Sequence, residues 1–326
     1  EIWTGAAVDR VLLQEADHAG PGSGQAAAGL RATGVTLRPQ GRGEAIMVHA
    51  RREVLLCAGA LQSPQLLLTS GVGPGAQLQR FGGDWFAVAP DLRGYNLSDM
   101  PDEVDAYKAK HLMQDIAELI ATIGYRDCVL VAHDWGGAVA WQFAIRHPEV
   151  VRKLLIINAT HPVPFAEGLA RDPAQQAASQ YMNWLRAEGS EAALAKDDFR
   201  VMEKFMLGMG VNPDWFDAGT RTRYHACWSR GLRGGVNYYR ASPLHPPTDT
   251  EPGAAGITLD PSNFQLTIPV RVLWGEQDKA LLPSLIDGLD RFMTDLSVTR
   301  VPEASHWIVH EQPERVNAWL AHCLSG

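Results

Sequence analysis

Apolar positions along the chain follow two rhythms. WFAVAP (85–90), CVLVAH (128–133), KLLIINA (153–159) and VRVLWG (270–275) are continuous apolar runs of strand length. Such runs are expected of parallel strands buried on both faces. SVTRVP (297–302) adds a fifth, more mixed run. Between the runs the period changes. Over 107–124, Leu112, Ile116, Leu119, Ile120 and Ile123 share one helical face, and Gly124 ends it. Further helices are predicted over 137–147, where Pro148 forces a stop, over 281–293 and over 313–324. A helix-rich stretch follows the 153–159 run, and residues 242–263 then turn rich in Pro, Gly and Thr. Alternating strands and helices predict a doubly wound, mostly parallel α/β sheet. The helical stretch then reads as a cap inserted over the carboxyl edge of that sheet. The expected boundaries are 1–76 for an N-terminal segment, 77–159 and 256–326 for the two parts of the core, and 160–255 for the cap. No internal repeat is visible.

The first 76 residues keep a different pattern. Residues 15–29 are small, polar and rich in Gly and Ala, as in a mobile loop. GVTLR (34–38), EAIMVHA (44–50) and EVLLCAG (53–59) are β-like, the first two joined by a hairpin-type connection over 39–43. A short helix is expected from Pro64 to Thr69, closed by Gly71, Gly73, Pro74 and Gly75. No secretory leader is read, and the start at Glu-Ile-Trp is what a processed, truncated or spliced end would give.

Composition narrows the function. The 326 residues carry 29 Lys+Arg against 37 Asp+Glu, a net charge of −8, with no basic cluster. That leaves nucleic-acid binding without an electrostatic basis. No apolar run reaches the length needed to span a bilayer. Cys57, Cys128, Cys227 and Cys323 are far apart and form no C-x-x-C pair. Buried thiols in a reducing compartment are therefore expected, rather than disulfides or a metal site. The expected location is cytoplasmic.

The chemistry centres on Val131-Ala132-His133-Asp134-Trp135-Gly136-Gly137. A hydrophobic strand runs into small-x-Asp-x-small and then a helix, the nucleophile-elbow pattern with Asp where Ser often stands. Ala132 and Gly136 supply the small residues such a tight turn needs. The backbone N–H of Trp135 falls at a helix N-terminus, where negative charge is favoured. A carboxylate nucleophile forms an ester, which an activated water must cleave, so a base and an orienting acid are required. Asp278 follows the penultimate strand run and His306 the last. The order Asp134, Asp278, His306 is nucleophile, acid, base, each after a strand's carboxyl end. Glu276 is a second candidate for the acid; Asn158, not being acidic, does not compete.

DLRGYNLSD (91–99), HDWGGAVAW (133–141), NATHP (158–162), LWGEQD (273–278) and EASHW (303–307) together resemble the α/β-hydrolase superfamily, in the branch of epoxide hydrolases and haloalkane dehalogenases. The resemblance covers residues 77–326. It implies an aspartate-nucleophile hydrolase acting on a small apolar epoxide without cofactor or metal; a homodimer stays open. GVNYYRA (235–241) resembles the N-[WY]-Y-R segment of epoxide hydrolases, in which the tyrosine before Arg hydrogen-bonds the epoxide oxygen. That points to Tyr239. Its partner belongs early in the cap, where Tyr181 fits; Tyr224 and Tyr238 are the alternatives. Trp135 suits either branch, since such a Trp also serves as a halide donor. The fluoroacetate-type dehalogenases place Arg there instead. Haloalkane dehalogenation is the rival activity.

The front end does not match. The family's strand before WFAVAPD ends in His-Gly, which leads into the second oxyanion N–H, and no His-Gly occurs in this chain. Residues 59–73 instead resemble a signature of the glucose–methanol–choline flavin oxidoreductases, as does the whole of 1–76. A flavin enzyme is not expected, because no strand–GxGxxG–helix unit is present. The chain reads as a mosaic. GVTLR, EAIMVHA and EVLLCAG are expected to stand in for the family's opening hairpin and strand, because a missing central strand would leave unpaired backbone. Ala58-Gly59 would then take the His-Gly place, with Ala60 or Leu61 offering the second oxyanion N–H. If the segment packs elsewhere, a catalytically weakened mosaic is the alternative.

Overall fold

The computed structural model describes residues 88–325 throughout and, over 6–15, 30–39, 46–49, 53–59 and 85–87, the strand backbone. Three strands, β1 (Ala6–Glu15), β2 (Leu30–Pro39) and β3 (Ile46–His49), form an antiparallel sheet in that order. Six more, β4 (Glu53–Gly59), β5 (Trp85–Val88), β6 (Cys128–His133), β7 (Val151–Ile157), β8 (Val270–Gly275) and β9 (Leu296–Val301), form a parallel sheet ordered β5-β4-β6-β7-β8-β9. This is the doubly wound α/β sheet expected from the alternation of runs. The chain steps from β4 out to β5 and then returns across β4 to β6, so the strand order reverses there. Open α/β sheets hold their sites in the crevice at such a reversal, beyond the strands' carboxyl ends.

The period-2 alternation of β6 and β7 divides two cores. Leu130, Ala132, Leu154 and Ile156 face the larger one. Val129, Val131, Leu155 and Ile157 face the other, packed with Val316, Leu320 and Leu324 of the C-terminal helix. The helices are α1 (Ala109–Thr122), α2 (Asp134–Arg146), α3 (Pro162–Arg171), α4 (Pro173–Ala178), α5 (Gln180–Arg186), α6 (Ser190–Leu194), α7 (Lys196–Gly208), α8 (Ala218–Trp228), α9 (Arg233–Ala241), α10 (Ile308–Glu311) and α11 (Pro313–Leu324). Of these, α3 to α9 lie between β7 and β8. No helix of the described residues is long and apolar enough to cross a membrane.

Several elements differ from expectation. Of the three β-like runs near the start, β4 alone enters the large sheet; the other two join β1, a strand not foreseen, in the separate antiparallel sheet. Val54–Leu56 pair with Phe86–Val88 on one side, and Leu55–Gly59 pair with Val129–His133 on the other. An apolar run such as EVLLCAG suits a slot between two parallel neighbours. The hairpin needs only its own tight connection and a partner strand. The helix expected over 281–293 is two 3₁₀ turns, Pro283–Ile286 and Leu289–Arg291. Pro283 lacks an N–H, and Gly288 between the turns has φ of 72°, which breaks a helix. The helix expected from Pro64, and Ala60 and Leu61, lie outside the described residues.

Candidate active site

β6 feeds directly into α2 through Asp134, whose φ of 51° is left-handed. A non-glycine residue there stores ~1–2 kcal/mol of backbone strain. The turn is tight because α2 packs on the end of β7. A Cβ on Gly137 would lie 2.1 Å from the Ala159 Cβ. Gly137 is thus a small residue this junction requires, in addition to the Ala132 and Gly136 of the sequence pattern. The Trp135 backbone N–H lies beside the Asp134 carboxylate and favours its charged form. Burial nevertheless leaves the Asp134 carboxyl above the ordinary carboxylate range, against the His306 charge and that N–H.

His306 stands between two carboxylates. Its Nδ1 is 2.8 Å from Asp278 Oδ2 and its Nε2 is 3.6 Å from Asp134 Oδ1. Burial alone would depress the imidazolium. The Asp278 charge and hydrogen bond, helped by Asp134, outweigh that and raise its pKa to about 9. Asp278 is fully ionised by the same network. Burial opposes its charge, but His306 and the N–H donors on it hold its pKa below the ordinary value. Asp278 Oδ1 accepts from Ala280 N at 2.8 Å and Leu281 N at 2.9 Å. Glu276, the other candidate, points away and pairs with Arg300 at 3.0 Å.

Two residues of this network escaped the sequence reading. Asn158, fully buried at the end of β7 with φ of 38°, donates from Nδ2 to Asp278 Oδ2 at 2.8 Å and to the Gly275 carbonyl at 3.2 Å. Its Oδ1 accepts from Gly275 N at 2.8 Å. It clamps β7 to the loop after β8. The signal was a polar residue closing an apolar strand run, where an unpaired amide would be costly. His133 is the second. Its Nε2 lies 2.8 Å from the His306 carbonyl oxygen, and its ring is 4.9 Å from the His306 ring. Burial and the neighbouring His306 charge push its pKa down to about 3, so it is neutral and its Nε2–H donates.

Asp134, Tyr181 and Tyr239 line one cavity of about 300 Å³, whose apolar wall includes Phe165, Leu244 and Leu259. Tyr181 and Tyr239 pack edge to face, with ring centroids 6.0 Å apart at 79°. The Trp135 indole packs edge to face against the Tyr239 ring, with centroids 5.0 Å apart at 88°. Burial, reinforced by the Asp134 charge, raises the pKa of both phenols above the ordinary value. The alternative tyrosines are spoken for. Tyr224 OH lies 3.3 Å from His310 Nε2, and Tyr238 OH donates to the Arg93 carbonyl at 2.9 Å. Gly59 is in register with His133, one residue short of the Asp134 level, and Ala60 falls outside the described residues. Among the described residues no cluster of His, Cys, Asp and Glu could hold a metal ion.

A family model described as alpha/beta hydrolase family matches residues 54–319, and one described as GMC oxidoreductase matches residues 1–102. The hydrolase match thus begins inside β4, earlier than the resemblance read from the sequence at 77. The AB hydrolase superfamily protein YfhM of Bacillus subtilis is 34% identical over 242 residues, covering 73% of this chain and 80% of that one. Epoxide hydrolase 4 of Mus musculus is 30% identical over 252 residues, covering 75% and 67%. Among solved structures, an epoxide hydrolase of Bacillus megaterium with an inhibitor superposes with a TM-score of 0.75 at 31% identity. That superposition covers 85% of this chain and 95% of the other.

Proposed function

The chain belongs to the alpha/beta hydrolase family, and we propose that it hydrolyses small apolar epoxides to diols. The observation that carries this reading is the shared cavity, lined by the half-buried Asp134 carboxylate and by the phenols of Tyr181 and Tyr239, whose rings lie 6.0 Å apart. An Asp134 oxygen attacks an epoxide carbon, the C–O bond breaks, and the oxygen takes a proton from Tyr181 or Tyr239. The products of this step are an ester on Asp134, a free hydroxyl and a tyrosinate. The tyrosinate then takes the proton that His306 carries in the resting enzyme.

Esterification also removes the Asp134 charge, one of the influences that raise the His306 pKa. Neutral His306 is thereby available as a base. It withdraws a proton from water, and the hydroxide adds to the Asp134 carbonyl carbon. The oxyanion forms on the Asp134 carboxyl, where the Trp135 N–H already points. We place the second donor at Ala60, the residue after Gly59. Collapse releases the diol, the departing oxygen taking the His306 proton, and the Asp134 carboxyl returns its own proton to His306.

Haloalkane dehalogenation is less well served. The cavity beside Asp134 is lined by the phenols of Tyr181 and Tyr239, proton donors that an opening epoxide needs and a departing halide does not. In this reading residues 160–255 close over the site as a cap, and residues 1–76 contribute the central strand β4. The buried, unpaired Cys128, Cys227 and Cys323 support a cytoplasmic location. Purified protein given styrene oxide should release phenylethanediol and, given a haloalkane, no halide. Halide without diol would overturn the assignment.

A further inference from the structure

Tyr238 precedes Tyr239 on α9 and is buried where that helix meets the core. Its hydroxyl donates at 2.9 Å to the carbonyl of Arg93, in the loop after β5. Its ring centroid lies 5.3 Å from that of Tyr95, 5.6 Å from Tyr107 and 5.5 Å from Trp135, the residue after the nucleophile. Arg93 is itself braced from α1: its Nε and Nη2 lie 2.9 Å and 2.6 Å from the two carboxylate oxygens of Asp115. A bidentate pair fixes an angle as well as a distance. Burial raises the Tyr238 pKa well above the ordinary phenol value, so its hydroxyl stays a donor. One turn earlier on the same helix, Gly234 meets the same loop backbone to backbone. A Cβ on Gly234 would lie 2.1 Å from the Gly94 carbonyl oxygen and 2.4 Å from the Gly94 Cα. No flexible side chain stands between them to give way. Positions 234 and 238 are four apart and share a helix face. Two fixed points on one face set both the height and the tilt of α9 over the core.

We propose that Tyr238 is a positioning residue: together with Gly234 it seats α9 on the loop after β5, and so sets how far the Tyr239 hydroxyl stands from an epoxide oxygen beside Asp134. The Tyr238 hydroxyl, committed to the Arg93 carbonyl, is not itself the acid. Tyr239 is the next residue on the helix and lines the cavity. A proton donor acts only within hydrogen-bond reach of the atom it protonates. A shift of ~1 Å in such a group costs up to ~10²-fold in rate. The ester-forming step feels this seating, because the opening epoxide takes its proton there. Cleavage of the ester by water and His306 draws no proton from Tyr239 and is spared. The inference rests on the proposed epoxide chemistry for the proton that Tyr239 gives, and on the contacts of α9 alone for the seating.

Two variants test it. Tyr238→Phe keeps the ring and its aromatic neighbours and removes only the hydroxyl. Gly234→Ala keeps the hydroxyl and pushes the helix off the loop, although helix propensity alone would favour Ala. Single turnover with styrene oxide, followed by intact mass, gives the rates of ester formation and ester decay separately. Formation should be about tenfold slower in Tyr238→Phe and slower still in Gly234→Ala, within the range that a misplaced group costs. Decay should stay within about twofold of the parent in both. A side chain that only stabilised the fold would lower the melting temperature and leave both rates unchanged. Ester formation at the parent rate in either variant would overturn the proposal, as would formation and decay slowed by the same factor. A second measurement needs no turnover and separates this failure from failure of the epoxide reading. In protein labelled with carbon-13 on its tyrosine rings, the Tyr239 signal is identified by its loss in Tyr239→Phe. That ring lies edge to face with Trp135, whose ring current makes its resonance sensitive to position. A shifted Tyr239 signal in Gly234→Ala supports the seating even if the parent opens no epoxide. An unshifted one overturns it even if epoxides react. Thermal melting of each variant verifies that it is folded.

Discussion

Asn158 gives the sharpest test of how the acid is held. Substitution by Gly keeps the left-handed backbone accessible, so the loss is confined to the amide. Two donated contacts disappear, to Asp278 Oδ2 at 2.8 Å and to the Gly275 carbonyl at 3.2 Å, together with the acceptor for Gly275 N at 2.8 Å. The contact to ionised Asp278 is worth ~1.5–3 kcal/mol, and the buried Gly275 N–H left without a partner costs ~1–3 kcal/mol more. The expected destabilisation is ~3–5 kcal/mol, a large share of the ~5–15 kcal/mol typical of a domain. Asn158→Asp separates holding from folding. It keeps the acceptor for Gly275 but sets a second carboxylate against Asp278, so the two share a proton. His306 then loses part of the charge that raises its pKa to about 9. Urea denaturation measures the first effect, and NMR titration of the His306 ring measures the second, which should move to lower pH. An Asn158→Gly protein within ~1 kcal/mol of the parent, with kcat unchanged, would refute the clamp.

Three further expectations concern catalysis and pH. Asp134→Ala should abolish turnover, and His306→Gln should accumulate the ester, seen by intact mass as protein plus epoxide; steady turnover by Asp134→Ala would remove the nucleophile. Tyr181→Phe and Tyr239→Phe should each lower kcat ~10²-fold or more, as for loss of a proton donor, and the double variant should fall further; a full-rate double variant would move the donor elsewhere. Stability should fall on both sides of pH ~6.5, the unfolded histidine value. His306 is raised to about 9, so its contribution is complete below pH 6.5 and is lost as pH rises through about 9. His133, His161 and His310 are lowered by burial to about 3, 4 and 3, so theirs is present above pH 6.5 and is lost as pH falls. Together these three permit a slope of up to ~4 kcal/mol per pH unit on the acid side. Melting midpoints that stay flat from pH 4 to 6.5 would contradict the neutral, buried state of these rings.

What the sequence makes legible here follows from where each interaction is encoded. The runs at 128–133 and 270–275 appear as strands over the same residues because continuous apolar segments encode burial on both faces locally. Asp134, Asp278 and His306 are legible for a related reason: each follows the end of a strand run, and such ends converge in a parallel sheet. Asn158 follows a strand run too, yet its partners Asp278 and Gly275 lie more than a hundred residues away. Only the pairing of β7 with β8 reveals that its amide, though not acidic, holds the acid. Gly137 is the same case, small because of Ala159 across the junction rather than because of its own turn. The segment before residue 60 shows the converse. A central parallel strand asks of its occupant an apolar run of the right length and a register, both of which EVLLCAG supplies, and its pairing with β5 and β6 follows from those properties whatever family the run resembles. A segment of foreign character can therefore fill the sheet while leaving open the one thing its backbone must add to chemistry, an N–H at the level of Asp134.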